Sequence, residues 1–361
     1  MQSPTIVQRH PALRWMVPLG IVGIAAAAIT GAIRSRGTSE SLPAAMPAAL
    51  VSAVEHNQDV GFFGTVVSQL SLGLPALATL PALSRPKLAA SFSSLLEGSH
   101  TMQVWYGGRT RQRVALLGAG EETDLFRNGR DLWQWNSSDG VALHTRVHRQ
   151  TDFALFDQPA EALTPAALAG RALSSLDADT ELSVEDDVVV ADRPAYELVV
   201  TPNSRATKIG SVRVAIDGAT KVPLGVQIYP KGSSSAAIDV GFTSIRFGMP
   251  AERNFDFVPP PTATVSELSS RPRALSTAIA VVSGSGWTTV YRLHPVGRHQ
   301  GSVPVAAEEF HAMSAVSGHW GEGRIVQSPI LSVLVTKNGR VYAGTVRPAQ
   351  LYAVAATSSK K

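Results

Sequence analysis

The chain has 361 residues, no cysteine, and 32 Lys and Arg against 28 Asp and Glu, a formal charge of +4. Without cysteine there is no disulfide, thiolate metal site, Cys nucleophile or lipid-carrying Cys. Arg9, Arg14, Arg34, Arg36, Lys360 and Lys361 lie in the terminal segments, which leaves residues 38–359 with 26 basic against 28 acidic side chains. The positive excess therefore belongs to the ends, and a nucleic-acid interface, which needs a basic stripe on the folded part, is excluded.

Residues 1–37 contain no acid and read as a membrane anchor or signal segment. Trp15–Ile33 runs about 19 residues without a charge, enough to cross the hydrocarbon core as a helix. A cleaved signal peptide is the rival, with a core of roughly 7–15 residues and a small-residue cleavage site. Arg34 and Arg36 would make a poor mature start, so an uncleaved transmembrane helix is favoured. Two basic residues on each side leave its orientation open. A folded part behind such a segment is expected outside the cytoplasm, at the cell membrane.

Residues 38–49 are rich in Ser, Pro and Ala and read as a linker, with a short helix over Pro47–Asn57. Phe62–Leu70 is β-rich and predicts the first strand. Ser71–Ser99 is apolar, broken by Pro75, Pro81 and Pro86, and too long for a hairpin loop; it reads as a lid or as a helix packed on the sheet. Thr101–Tyr106, Arg111–Leu117, Thr123–Phe126 and Asp131–Trp135 alternate polar and apolar side chains around Gly107–Gly108 and Asn128–Gly129, the strongest short-range signal for antiparallel hairpins. On the last of these strands Trp133 and Trp135 share a face and need a cover, either core or ligand.

Val141–Val147 is a further strand. Thr164–Leu176 is a helix, with Thr164 as cap and Pro165 at its first position. Strands follow in Glu181–Pro202, Val212–Ile216, Gly225–Tyr229, Ala237–Ile245 and Phe255–Val258. Roughly ten strands in hairpin order with few helices predict an α+β fold built on a large curved antiparallel sheet, not a βαβ fold. It spans residues 50–262. Ser266–Ala274 is a linker. Residues 275–361 form a small C-terminal α+β module, with strands at Ala278–Val282 and Thr288–His294, a helix-like Val305–Met313, a hairpin across Asn338–Gly339, and a last helix at Pro348–Ala356.

Enzyme signatures are weak. His144 and His148 are four apart on a strand, without the helical context of a metal motif. Ser285 between Gly284 and Gly286 lacks the full nucleophile elbow. Glu185–Asp187 reads as a solvated acidic loop. No glycine run leads from a strand into a helix, so no phosphate loop is present. No cofactor or metal is expected, and no catalytic residue.

The runs VWYGGRTRQRVALL and ETDLFRNGRDLWQWNS, with FFGTVVSQ, RPAYELVVTP, GSVRVAIDGATKVPLGVQIY, IDVGFTSIRF and the late GSGW and LSVLVTKNGRVYAGTV segments, resemble the actinobacterial branch of the LolA/RseB superfamily, the lipoprotein carriers and their sigma-factor-regulating relatives. The resemblance implies an open half-barrel whose concave apolar face is covered by helices and holds an acyl chain or lipoprotein ligand. It nominates Phe62, Val66, Met102, Val104, Trp133 and Trp135 as lining. It also implies an arginine early in the sheet that holds the lid, nearest here to Arg109 and Arg111. The anchor, the extra module and the missing lipobox Cys depart from a freely diffusing shuttle. They favour a tethered lipid binder, with an RseB-like regulator of an envelope partner such as an anti-sigma factor as the alternative. A third class is an assembly factor that adds a strand at a sheet edge.

Overall fold

The structure, a computed structural model, describes residues 42–56, 59–73, 97–118, 122–146, 164–267, 279–293 and 313–358. Trp15–Ile33, most of the Ser71–Ser99 segment, His148 and the helix expected before Met313 lie outside these residues. Among the described residues no helix is long and apolar enough to cross a membrane.

Alternating sequence gives strands in the expected places. β1 (Phe62–Ser71), β2 (Glu97–Tyr106), β3 (Arg111–Leu117), β4 (Glu122–Asn128), β5 (Asp131–Asn136) and β6 (Val141–Arg146) form one run. β7 (Thr180–Val190), β8 (Arg193–Pro202), β9 (Ile209–Asp217), β10 (Pro223–Pro230) and β11 (Ile238–Phe247) form a second. Together with β12 (Thr264–Glu267) they make a 12-stranded sheet in the order β12-β6-β5-β4-β3-β2-β1-β11-β10-β9-β8-β7. The pairing is antiparallel except for β12, which lies parallel to β6. The turn glycines do what the sequence asked of them: Gly129 of the Asn-Gly pair takes a φ of 61° that a side chain with a Cβ resists.

The sheet curls strongly. Arg193, at the start of β8, lies 4.6 Å from the ring centre of Phe247, at the end of β11, although β9 and β10 separate these strands in the sheet. Two short helices cover the inner side. α1 (Pro47–His56) packs against β7, and α2 (Pro165–Ser174) against α1, β10 and β11. α2 starts as its sequence predicts: the Thr164 side chain accepts from the Ala167 amide at 3.3 Å and Pro165 opens the helix. Its Leu168, Ala169, Ala172 and Leu173 are buried.

A second sheet has six strands in the order β13-β14-β18-β17-β16-β15, from β13 (Ile279–Ser283), β14 (Val290–Leu293), β15 (Ser314–Gly318), β16 (Gly321–Gln327), β17 (Ser332–Thr336) and β18 (Val341–Gly344). One face carries Tyr342 and Leu334 against α3 (Pro348–Ser358). The other face puts Val333, Val335 and Val341 into the same apolar core as Val212 and Ile209 of the large sheet. Thr207 pairs with Val346, Lys208 N donates to Thr345 O, and the Trp287 indole donates to Thr180 Oγ1 at 3.1 Å.

Two expectations are corrected. Phe255–Val258 is not a strand: Glu252–Asn254 is one turn of 3-10 helix, and residues 255–263 continue as an irregular strap. Three prolines at 259–261 remove the amides a ladder needs. The strand forms later, at β12, whose last two residues run into the expected linker, so the large sheet extends past residue 262.

Candidate functional site

The inner face can be read directly from register. Phe62 pairs with Tyr106, Tyr106 with Gln112, and Gln112 with Arg127, while Gly64, Val104, Val114 and Leu125 form the next row. Val66, Met102 and Leu116 follow. Side chains alternate faces along a strand, so these rows all point to the helix-covered side. Val66 and Met102 are completely buried, and Phe62 and Val104 nearly so.

A cavity of about 210 Å³ lies between this face and the first turn of α2. Phe62, Val104, Val114 and Phe242 give it an apolar floor, Tyr106 and Gln112 a polar margin, and Thr164–Ala167 a roof. Phe62 is the hub: its ring stacks on Tyr106 at 5.1 Å and meets Phe242 edge-on at 5.7 Å. Burial pushes the Tyr106 phenol up, with Arg109 and Arg127 nearby opposing that shift. An engineered apolar cavity of ~150 Å³ admits benzene, so the volume suits one segment of an acyl chain and not a whole lipid.

The register divides the six residues that the resemblance nominates as lining. Phe62, Val66, Met102 and Val104 share the inner face, and two of them, Phe62 and Val104, line the cavity. Trp133 and Trp135 lie on the outer face: Trp133 pairs with Phe126, Phe126 with Arg113, Arg113 with Trp105, and Trp105 with Phe63. Their cover is the strap. Phe257 packs on Phe126 at 4.9 Å, Trp133 at 5.4 Å and Trp135 at 6.0 Å. Phe255, buried, is seated against Gly107, where a Cβ would stand 2.9 Å from its ring.

Arg109 is exposed at the β2–β3 hairpin. Arg111 reaches Glu252 of the strap at 3.5 Å, a solvent-facing pair. Arg111 therefore stands at the strap side while Arg109 lies near Tyr106, and the expected lid segment is outside the described residues. The inward arginine is Arg127, buried on β4 in the row of Tyr106 and Gln112. It sits two positions past Leu125 in a strand whose alternation was legible, but its face was not.

The outer face is electrostatically dense. Arg113 donates to Asp124 at 2.9 and 3.0 Å and to Glu122 at 3.4 Å, with its guanidinium over Trp105 at 4.6 Å and Phe126 at 4.7 Å. Burial, then the neighbouring Asp124 carboxylate, push Glu122 up to about 7, against the pull of Arg113. His144 stacks on Trp133 at 4.2 Å, with Nδ1 2.8 Å from Glu267 and Nε2 2.9 Å from Asp131. These groups bond to one another and do not converge on a point; among the described residues no cluster could hold a metal. Ser285 sits before a 3-10 turn that packs on Ser175, and its backbone carbonyl accepts from Thr288.

Searches by sequence match no family model and no curated relative. Solved structures do match in shape. MucB from Pseudomonas aeruginosa, solved in complex with MucA, is 16% identical over 86% of this chain and 97% of its own, with a TM-score of 0.44. LprF from Mycobacterium bovis is 10% identical over 62% of this chain and 100% of its own, at 0.31. A LolA superfamily protein from Nitrosomonas europaea is 11% identical over 59% and 99%, at 0.23. The chain is thus similar in structure to MucB, to LprF and to a LolA superfamily protein.

Proposed function

We propose that the chain is a non-enzymatic, extracytoplasmic binder of an acyl chain or lipoprotein, tethered to the membrane through Trp15–Ile33. One observation carries this reading: a cavity of about 210 Å³ with an apolar floor lies under the first turn of α2, on the helix-covered face of a curved sheet. Burying about six methylene groups there contributes ~5 kcal/mol, which alone corresponds to roughly sub-millimolar binding. Binding in this cavity needs no catalytic group.

The test is titration of the full chain, held in amphipol, with a dansyl-labelled undecanoate. Ala167→Trp fills the cavity from the helix side without removing core. It is expected to weaken the probe by about tenfold or more at unchanged melting temperature. Equal binding by both proteins, or by neither, removes this reading.

A second reading, an RseB-like regulator that contacts an envelope partner, is favoured by an exposed apolar pair on the second sheet. Val281 and Tyr291 face each other across β13 and β14 and are 61% and 41% exposed. Val281→Asp with Tyr291→Asp would abolish site-specific cross-linking to such a partner in cells. Deleting residues 275–361 is a poor test, because it strips Trp287 and Val333 from the common core.

A further inference from the structure

A second concavity lies on the opposite side of the large sheet. It is an open groove of about 500 Å³ at the start of β9 and the end of β10, lined by Gly210, Ser211, Arg213, Tyr229 and the serines at 233 and 234. The volume is within the range of small-molecule sites, ~300–1,000 Å³. We propose that this groove binds a neutral carbohydrate, independently of the acyl site.

The lining sets the class by its chemistry. Glycines, serines, one aromatic ring and one guanidinium offer little apolar area, so an acyl chain gains almost nothing there. An anion is disfavoured because Arg213 is already committed. Its Nη1 donates to Glu185 at 2.6 Å and to Glu197 at 2.7 Å, and its Nη2 donates to Glu185 at 3.2 Å. Two carboxylates already neutralise this one cation, so Arg213 offers a phosphate or carboxylate ligand no free charge. A cation meets carboxylates whose lone pairs are largely taken. What remains is a ligand with many hydroxyls and no charge.

The groove also has a built platform. The Tyr229 hydroxyl donates to Gln227 Oε1 at 3.0 Å, and Gln227 Nε2 donates to Asp239 Oδ2 at 2.8 Å. That relay fixes the ring, with the Arg213 guanidinium 5.8 Å from its centre. An aromatic ring held in place beside the Ser211 and Ser234 hydroxyls matches the apolar face and vicinal hydroxyls of a sugar. Gly210 lets the backbones of β9 and β10 close up at the end of the groove: a Cβ there would meet the Pro230 carbonyl oxygen at 2.8 Å.

The experiment is saturation-transfer NMR of the full chain in amphipol with maltotriose, mannotriose, arabinotriose and chitotriose, with inorganic phosphate as a separate arm. Transfer from at least one trisaccharide is expected, reduced about tenfold in affinity by Tyr229→Ala and abolished by the filling variant Ser211→Trp. Dansyl-undecanoate binding should be unchanged in both variants, which keeps this site separate from the acyl site. Silence from all four sugars, transfer that survives Ser211→Trp, or competition by phosphate would overturn the proposal.

Discussion

The two faces of the large sheet come from the same alternating strands and have opposite chemistry. On the inner face Phe62, Val66, Met102 and Val104 are buried with apolar neighbours, and the hollow that Phe62 and Val104 border is roofed by the start of α2. On the outer face each of the three tryptophans is met by a charge or by the strap: Trp105 by Arg113, Trp133 by His144 and Phe257, Trp135 by Phe257. The difference teaches that a pair of tryptophans does not mark the hollowed face of the sheet. Large amphipathic rings suit a surface that is half covered, whereas a hollow is shaped by side chains that stop short of filling it.

The sharpest way to break this comparison is to remove the hub of the inner face. Phe62→Ala deletes the ring shared by Tyr106, Phe242 and Phe247 and should cost ~3–5 kcal/mol in chemical denaturation, because the surrounding rings cannot close the gap. A loss under about 1 kcal/mol would mean that the inner face is loosely packed.

The outer face can be tested by pH. Glu122, raised from 4.5 to about 7 by burial and by Asp124, holds its proton in the folded state where the unfolded chain has released it. Stability should therefore fall as pH rises from 4.5 to about 7. Glu122→Gln should flatten that slope and gain on the order of 1–2 kcal/mol at pH 8 after allowance for screening. An unchanged slope in urea melts across this window would show that Arg113 neutralises the pair.

The smallest expected effect is the most discriminating. Trp135→Ala should leave dansyl-undecanoate affinity within about twofold of the parent. A loss of tenfold or more would place the acyl ligand on the outer face and reverse the contrast drawn above.

Much of this was legible in the sequence. The Gly-Gly and Asn-Gly turns fixed the β2–β5 meander, and the Thr164–Pro165 pair fixed the start of α2. Inside each strand the alternation was right, including the shared face of Trp133 and Trp135. What single strands could not supply was the phase between them. A shift of one residue exchanges the two faces, and only the register from Phe62 through Tyr106, Gln112 and Arg127 to Leu132 shows that Trp133 opposes Phe62. Arg127 escaped notice for the same reason. Phe242, which closes the cavity, comes from β11, far along the chain; no local pattern links it to Val104. Phe255, Phe257 and Val258 of the strap are β-formers and predict a strand, while the prolines beyond them decide otherwise.

The joint between the sheets has a consequence for how disturbance spreads. Trp287 and Val333 sit in one apolar mass with Val212 and Ile209, and Lys208 donates its ammonium to the carbonyls of Ser328 and Leu331 across the seam. Neither half has an interior of its own to fall back on at that seam. Loosening on one bank is felt on the other, so the late hairpin of β17 and β18 shares the fate of β9 rather than moving as a separate arm.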